Sequence, residues 1–228
     1  MITVTAEQMK AIDHYATEVL EIPAAILMEN AAVRCIEAMD IARRHSFGIF
    51  CGVGNNGGDG LAIARGLAAL GKKVLVFLVG DRTAASREFQ MNYRILERMG
   101  IPLHWMETLG DIEELPAKLE QVNTLIDCLF GTGLSREVRG MPAVVMEQIN
   151  RSRIYTISID MPSGVDATNG AIHGACVEPN EIITLQFMKK GLEQNPYFHC
   201  PIRVVPIGIP PKAWEAVLGS DKESGFRI

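Results

Sequence analysis

The stretch GVGNNGGDG (residues 52–60) follows a short apolar run and precedes a helical pattern. Its first, third and sixth residues are glycines, a spacing typical of dinucleotide-binding loops that join a strand to a helix. Two amides, Asn55 and Asn56, and a carboxylate, Asp59, accompany these glycines. Since a loop that only holds a pyrophosphate has little use for a carboxylate, the stretch predicts a Rossmann-type unit with a further polar function.

Outward from this loop, short apolar runs alternate with amphipathic segments. Strands are predicted at 47–53, 73–80, 102–106, 123–130, 153–160, 181–187 and 202–208, and helices at 5–20, 23–44, 60–70, 84–100, 111–121 and 142–151. The strands are apolar almost throughout, as expected when helices cover both faces of a parallel sheet. The predicted fold class is therefore α/β, a three-layer α/β/α Rossmann-like domain with a mostly parallel sheet.

The whole chain, 1–228, is expected to form one domain. N-terminal helices occupy 1–45, the Rossmann-like core 46–210, and a solvated tail 219–228. A capping box at Thr5 predicts the start of the first helix, and Gly71 is expected just past the end of the helix after the glycine-rich loop. Pro116 can split the helix predicted at 111–121.

Composition narrows the classes of function. The chain has 228 residues, 48% of them apolar and 21% charged, with a net charge of −5 and no long run of one sign. This balance gives no support to a nucleic-acid or membrane partner. The histidines lack zinc-binding spacing, and the five cysteines form no C-x-x-C pair, which favours free thiols in a reducing cytoplasm. No signal peptide is expected from the N-terminal sequence.

Three predicted strands end in polar residues. Asn55, Asn56 and Asp59 follow the first, Asp127 lies near the end of the second, and Asp160 closes the third. Ligands bind beyond the carboxyl ends of parallel strands, so these groups should converge. Each acid also has a local alternative: Asp59 as a helix N-cap and the other two as turn residues. Three acids at one rim repel one another, so a cation or a bound proton must compensate.

Oxygen ligands for a cation are present at this rim. Asn56, Asp127 and Ser163 could supply an amide, a carboxylate and a hydroxyl, a set that suits a hard ion and, with one full charge, favours a monovalent one. The glycine-rich turns leave backbone N–H groups for phosphates, at the helix start and in the 131–137 loop, where Arg136 could assist. Asp160 would then be free for proton chemistry.

Three longer stretches carry a family resemblance. GVGNNGGDGLAIAR, DCLFGTGLSREVRG and SIDMPSGVD resemble the NAD(P)HX epimerase family, the YjeF N-terminal domain. QMKAIDHYA and LMENAA near the start and VVPIGIP near the end are similar to its flanking elements, so the resemblance spans about residues 1–212.

The resemblance implies an enzyme, usually a cytoplasmic homodimer, that interconverts the epimers at C6 of the hydrated nucleotides NADHX and NADPHX. It implies a potassium ion on Asn56, Asp127 and Ser163. An NAD(P)HX dehydratase is expected as a functional partner, either as a separate protein or as a second domain of a longer chain from which this sequence is taken. Catalysis is assigned to Asp160, with Asp59 as the weaker candidate. The nucleotide is expected to contact Asn55, Asn56, Gly57, Gly58, Asp59, Gly131, Thr132, Gly133, Leu134, Ser135, Arg136, Glu137 and Asp160.

Two other functions compete with this interpretation. A nicotinamide-dependent dehydrogenase would use Asp81, about 20 residues past the glycines, to bind ribose, but it leaves Asp127 and Ser163 without a role. A non-catalytic scaffold is the other alternative, since proteins of similar fold act in mRNA-decapping assemblies and in binding apolipoprotein A-I.

The two N-terminal helices, with an exposed Met28, are the expected surface of the dimer. Gly58 is expected where the backbone approaches the ligand or turns with positive φ.

Overall fold

The computed structural model describes residues 2–193 and 195–219. Its strands are β1 (Thr3–Val4), β2 (Ser46–Gly52), β3 (Lys73–Val79), β4 (Leu103–Trp105), β5 (Thr124–Cys128), β6 (Tyr155–Ile159), β7 (Glu181–Leu185), β8 (Met188–Lys189) and β9 (Ile202–Val205). Seven of them form one sheet in the order β4-β3-β2-β5-β6-β7-β9, and every neighbouring pair is parallel. The predicted parallel sheet is confirmed.

The direction in which strands are added reverses between β2 and β5. In a doubly wound sheet this switch point opens a crevice beyond the carboxyl ends of the strands, where ligands bind. Residue 51 pairs with residue 128 across the switch point, so the polar segments that follow β2 and β5 begin side by side.

Helices cover both faces of the sheet. They are α1 (Ala6–His14), α2 (Ala24–Ala38), α3 (Asn55–Ala69), α4 (Arg87–Arg98), α5 (Leu109–Leu119), α6 (Met141–Ser152), α7 (Lys190–Glu193) and α8 (Pro211–Leu218). One apolar core lies between the sheet and α1 to α4 with α8, and a second lies under α5 and α6. The three-layer α/β/α architecture is therefore confirmed.

Several predicted boundaries hold and others shift. Thr5 forms the predicted capping box with Gln8, and Gly71 follows α3 with φ +74°. Helix α2 ends at Ala38 rather than near 44, because the chain turns extended at Met39 and buries that side chain. Pro116 lies inside α5 without splitting it.

The glycine-rich loop is shorter than predicted. Helix α3 begins at Asn55, with Gly54 as its N-cap, instead of at residue 60. Asp59 therefore lies inside the helix, and the alternative that it caps the N-terminus is wrong.

The N-terminal segment holds features without a sequence signal. A π-helical turn, Tyr15–Val19, follows α1 directly. Strand β1 pairs in parallel with β8, with Thr3 opposite Met188 and Val4 opposite Lys189. Strands of two residues have no detectable periodicity, so neither was predicted, but together they hold the start of the chain beside the end of β7.

Two further expectations concern the surface. Met28 is 6% exposed and packs in the core, so it is not the exposed residue that was expected at a dimer surface. The predicted tail over 219–228 lies, apart from Gly219, outside the described residues. Among the described helices, none has the length and apolar character needed to cross a membrane.

Candidate active site

The N-terminus of α3 opens into the crevice at the switch point. Gly54 offers no side chain to cap the helix, and the first turn of any α-helix leaves N–H groups without partners inside the helix. The first backbone hydrogen bond of α3 runs from the N–H of Gly58 to the Gly54 carbonyl at 3.0 Å. The earlier N–H groups are thus available to an anion such as a phosphate.

Close backbone contacts explain the glycines of this turn. A Cβ on Gly57 would lie 1.5 Å from the Gly52 carbonyl oxygen, and one on Gly52 would lie 2.0 Å from the Leu129 carbonyl oxygen. No side chain fits at either position, so the turn after β2 lies directly against the end of β5.

One of the two reasons expected for Gly58, a backbone turn with positive φ, does not apply. Gly58 lies within α3 and lacks a positive φ, so the strained-turn explanation is wrong. A Cβ there would lie 2.6 Å from Cε of Met28. The missing side chain lets α2 and α3 pack closely beneath the loop.

Asn56 presents a buried amide with no protein partner. Both its Oδ1 and its Nδ2 are buried and make no hydrogen bond, which is costly for a polar group unless a ligand satisfies it. A Cβ added to Gly131 would lie 3.3 Å from Asn56 and 2.8 Å from Oδ2 of Asp160. The Asn56 amide and the Asp160 carboxylate therefore flank the same residue of the 131–137 loop.

Asp127 is fully buried at the end of β5 and accepts four hydrogen bonds. Oδ2 accepts from the Ser158 hydroxyl at 2.7 Å and from the Ser163 N–H at 2.9 Å. Oδ1 accepts from the Ser163 hydroxyl at 2.5 Å and from the Leu129 N–H at 3.2 Å. Burial raises the pKa of this carboxyl, and these hydrogen bonds oppose the rise.

Ser163 joins two of the three strand-end segments. Besides its bonds to Asp127, its hydroxyl oxygen accepts from the Phe130 N–H at 2.8 Å. The segments after β5 and β6 are thereby held together, as the sequence predicted for Asp127 and Ser163.

Asp160 occupies a strained position at the end of β6. Its φ of +68° is uncommon for a residue other than glycine, and it is stabilised by an N–H bond to the Ile183 carbonyl at 2.8 Å. Oδ2 accepts from the Thr132 N–H at 3.1 Å. Oδ1 lies 2.6 Å from Nζ of Lys189, so the carboxylate is bound by the 131–137 loop on one side and by a cation on the other.

Lys189 is fully buried in β8. Besides Asp160, its ammonium group donates to the Thr184 hydroxyl at 3.0 Å and to the Leu185 carbonyl at 2.5 Å. A buried ammonium with an ion pair and two neutral acceptors is well compensated. It supplies a positive charge to a rim that is otherwise acidic.

Two further carboxyls interact with this ion pair. Burial raises the pKa of Asp59 far above its usual range, and the charges of Asp160 and Asp13 raise it further. Burial first and Asp160 second raise the pKa of Asp13 from 3.8 to about 7, while Lys189 opposes the rise. Burial therefore favours the neutral form of Asp13 and Asp59, while Asp160 has Lys189 as its counter-ion.

The 131–137 loop is more open than the rest of the site. Leu134 is half-buried, whereas Ser135, Arg136 and Glu137 are exposed. The loop borders a cavity of about 300 Å³ that is also lined by Phe130, Val138 and Pro142. Asn55 is exposed at the start of α3, whereas Gly57, Gly58, Asp59 and Asp160 are buried. Only the exposed members of the predicted substrate-binding set therefore form an accessible rim, next to a buried group of acids.

Asp81 does not take part in this arrangement. It is exposed and accepts from the Thr83 N–H at 2.8 Å and from the Thr83 hydroxyl at 2.7 Å. It thus caps a short turn after β3, and within the described residues it makes no hydrogen bond or ion pair with Asp127, Asp160 or Ser163.

Comparison with known proteins identifies the family. The family described as "YjeF-related protein N-terminus" matches residues 24–191, which is most of the chain. The chain belongs to the YjeF N-terminal family.

Relatives within the YjeF N-terminal family match along nearly all of the chain. A protein named NAD(P)H-hydrate epimerase from Anaerococcus prevotii is 43% identical, over 96% of this chain and 100% of its own length. One of the same name from Oenococcus oeni is 33% identical, over 91% and 97%. The bifunctional NAD(P)H-hydrate repair enzyme Nnr of Moorella thermoacetica is 34% identical over 93% of this chain and 41% of its own length.

The fold has a counterpart of known structure. The crystal structure of a yeast protein superposes with a TM-score of 0.72 over 84% of this chain and 83% of the other, at 22% sequence identity. That likeness supports the fold alone.

Asp13 and Lys189 are the site residues that sequence reasoning missed in this member of the YjeF N-terminal family. Lys189 follows an apolar strand near its carboxyl end, the same position that singled out the three acids. Asp13 lies in an ordinary amphipathic helix, and no local pattern separates it from the neighbouring charged residues.

Proposed function

We infer that this chain is an NAD(P)H-hydrate epimerase, an isomerase that interconverts the R and S epimers at C6 of hydrated NADH and NADPH. The observation that carries this inference is the 43% identity to a relative with that name, over 96% of this chain and the whole length of the relative. The site agrees with it: a buried acid–base group lies beside a helix N-terminus that can hold a phosphate.

The chemistry needs proton transfer and no redox step. C6 carries a hydroxyl next to the ring nitrogen, so it is a hemiaminal carbon. Protonation lets the hydroxyl leave as water while the nitrogen lone pair forms the C=N bond, and water then adds to the other face. Ring opening and closure is a second route that needs the same acid and base. Asp160, held by Thr132 and Lys189, is the residue proposed to exchange the proton.

Binding of the nucleotide is assigned to the accessible rim. The free N–H groups at the start of α3 suit the pyrophosphate, and the exposed Arg136 of the 131–137 loop adds a positive charge. Gly131 brings that loop against Asp160, so a nucleotide held by both segments has its ring near the carboxylate.

A potassium ion is proposed on Asn56, Asp127 and Ser163. The orphaned amide of Asn56 supports it, because a cation would satisfy the buried Oδ1. Asp127 fits with one condition: its oxygens already accept four hydrogen bonds, so the Ser163 hydroxyl must turn its proton away to free a lone pair. When bound, the ion would supply positive charge between the segments that follow β2, β5 and β6.

The ligands proposed for potassium also differ from those of a divalent metal site rich in carboxylates. Within residues 2–193 and 195–219, no group of three or more His, Cys, Asp or Glu side chains is arranged to hold a metal ion. Amide, hydroxyl and carbonyl oxygens with one carboxylate suit a large monovalent cation better than Mg²⁺.

A homodimer and a separate dehydratase are further proposals. Helix α2 exposes Ile26 and Val33, 51% and 44% accessible, which lie seven residues apart on one face. This face replaces Met28 as the candidate dimer surface. The Moorella relative is named as a bifunctional repair enzyme and is more than twice as long as the matched region, which supports a second repair activity that acts together with this one.

Epimer-resolved chromatography tests the function directly. Purified (R)-NADHX is incubated with the protein in potassium buffer, and with the protein exchanged into a bulky organic cation. We expect rapid conversion to the R/S equilibrium mixture, and slower conversion without potassium. Conversion no faster than a protein-free blank would overturn the proposed function, whereas conversion that ignores potassium would overturn only the cation site.

A further inference from the structure

The 131–137 loop is fixed at both of its ends by one segment of the chain, residues 163–177, which follows β6 and which we call the anchor segment. Just before the loop, the Phe130 N–H donates to the hydroxyl oxygen of Ser163 at 2.8 Å. Just after the loop, the Val138 N–H donates at 2.9 Å to a backbone carbonyl near the other end of the anchor segment. The anchor segment therefore sets where the loop begins and where it ends.

The carbonyl that binds Val138 belongs to His173, which is held in place by its backbone and by its ring. Its N–H donates to the Gly164 carbonyl at 2.8 Å. Its ring Nε2 lies 3.2 Å from Oδ2 of Asp166. The two side chains are 26% and 20% exposed, so water screens this pair only in part. The ring thus ties the residue that anchors the loop to the start of the anchor segment.

Asp166 is arranged to accept a hydrogen bond from the His173 ring. Its Oδ1 accepts from the Thr168 N–H at 2.8 Å and from the Asn169 N–H at 3.0 Å. Burial favours the neutral form of the carboxyl, but these N–H groups and the ring outweigh it and hold the pKa of Asp166 below its ordinary value. Since an ionised carboxylate only accepts hydrogen bonds, Nε2 of His173 carries the hydrogen of this bond.

Two glycines let the anchor segment fold back on itself and lie against the end of the loop. Gly164 has a φ of +100°, and a Cβ there would lie 1.9 Å from the Ala175 carbonyl oxygen. Gly174 has a φ of +84°, and a Cβ there would lie 3.0 Å from the Val138 carbonyl oxygen and 3.0 Å from Cγ of Glu137. A shift of the anchor segment at this point is therefore passed directly to the end of the loop.

The two anchors hold different parts of the loop. Thr132, whose N–H donates to Oδ2 of Asp160 at 3.1 Å, lies near the first anchor. The exposed residues 135–137 lie next to Val138 and so depend on the second anchor, His173. Loss of the second anchor should therefore disturb the exposed part of the loop, which is assigned to the nucleotide, more than it disturbs the proposed catalytic residue.

We propose that the hydrogen bond between His173 and Asp166 holds the 131–137 loop in its nucleotide-binding conformation, so that both side chains are positioning residues for substrate binding. This proposal rests on the proposed function and on the assignment of the loop to the nucleotide. A loop that is already held in its bound conformation loses less conformational entropy on binding. When only a fraction of the molecules hold that conformation, the apparent affinity falls by the same fraction.

The kinetic test compares His173→Ala with His173→Gln and with a control, His199→Ala, at an exposed histidine. His173→Ala should raise KM for (R)-NADHX by about tenfold, as expected for the loss of a hydrogen bond to a charged group, and should lower kcat far less. Glutamine can place an N–H where Nε2 of histidine lies, so His173→Gln should restore most of the parent KM. His199→Ala should keep the parent KM and kcat.

Amide hydrogen exchange measures the loop without using activity. Local loss of structure speeds exchange only in the segment that opens. His173→Ala should therefore speed exchange over residues 133–138 and leave α3 unchanged, and His173→Gln should slow it again toward the parent rates. Unchanged exchange over 133–138, or a uniform increase along the whole chain, would overturn the positioning role.

The outcomes distinguish this proposal from the proposed function. An inactive parent overturns the epimerase assignment, and the exchange rates alone then decide whether the pair holds the loop. An active parent whose KM is unchanged by His173→Ala, or is raised equally by His173→Gln, overturns only the positioning role. If His173→Ala does not fold, His173→Leu takes its place, because leucine fills the space of the ring without an N–H: a KM raised about tenfold supports the proposal, and an unchanged KM overturns it.

Discussion

Two sets of buried carboxyls lie at the same edge of the sheet and are stabilised in different ways. Asp127 accepts four hydrogen bonds, from Ser158 in β6 and from Leu129 and Ser163 in the segments after β5 and β6. Asp160 pairs with Lys189, and the pKa values of Asp13 and Asp59 are raised by burial first and by neighbouring carboxylates second.

The difference suggests two roles. A carboxylate held by several short-range donors is locked in position, which suits a structural or ion-binding group. Desolvated carboxyls beside other carboxyls have raised pKa values, as Asp13 and Asp59 have here, and such groups suit acid–base chemistry. The comparison predicts that substitutions in the first set change stability and ion binding, whereas those in the second change catalysis.

Asp160→Asn tests this division most severely. Loss of the carboxylate should reduce epimerisation by about 10²–10⁴-fold. It also leaves the buried ammonium of Lys189 without its anion, which should cost about 3–5 kcal/mol of the free energy of unfolding. Epimer-resolved chromatography and urea denaturation measure the two effects.

The matched control for that change is the double variant Asp160→Asn with Lys189→Met. Replacing the ammonium by an apolar side chain of similar length should restore most of the lost stability and none of the activity. Recovery of activity in the double variant would show that Asp160 acts only by satisfying Lys189.

Asp127→Ala should act mainly on stability. It leaves the N–H groups of Leu129 and Ser163 and two hydroxyls without their acceptor, and we expect a loss of about 2–4 kcal/mol. If Asp127 binds potassium, the melting temperature of the parent should rise with added potassium, because a ligand of the folded state stabilises it, and that of the variant should not.

Asp81→Ala provides the control, because Asp81 holds an exposed turn with the same kind of bonds. It should change stability less and leave the response to potassium intact. A parent whose melting temperature is indifferent to potassium would remove the ion-binding role from Asp127 and leave the structural one.

Gly58 packs against Met28, and the substitution Gly58→Ala should have the smallest effect on stability of the changes considered. Its Cβ would lie 2.6 Å from Cε of Met28, and overpacking of this kind costs about 1–3 kcal/mol. Combining it with Met28→Ala should recover part of this loss, so that the two changes are non-additive. Additive losses in thermal denaturation would show that Met28 is not the obstacle, and would point to the Phe89 backbone N, which lies 3.3 Å from the added Cβ.

Residues that follow an apolar strand were predictable from the sequence. Asn56, Asp127 and Asp160 each stand at or near the end of a short apolar run, and the carboxyl ends of parallel strands meet at one edge. Asp127 and Ser163 were expected at the same edge for the same reason, as ligands of one cation, but the hydrogen bonds between them were not predicted. Asp59 was placed in the right region with an uncertain role, because a residue that directly follows a glycine pair can cap a helix or lie inside it.

The sequence by itself determined the parallel sheet and the acids at its strand ends, because both depend on short-range patterns of apolar residues and glycines. Only the tertiary structure decided which charges act together. Asp13 and Lys189 are 176 residues apart in the chain and reach the same group of carboxyls through a two-residue strand pairing and the packing of α1. Electrostatic coupling depends on distance and burial in space, and neither quantity is encoded in local periodicity.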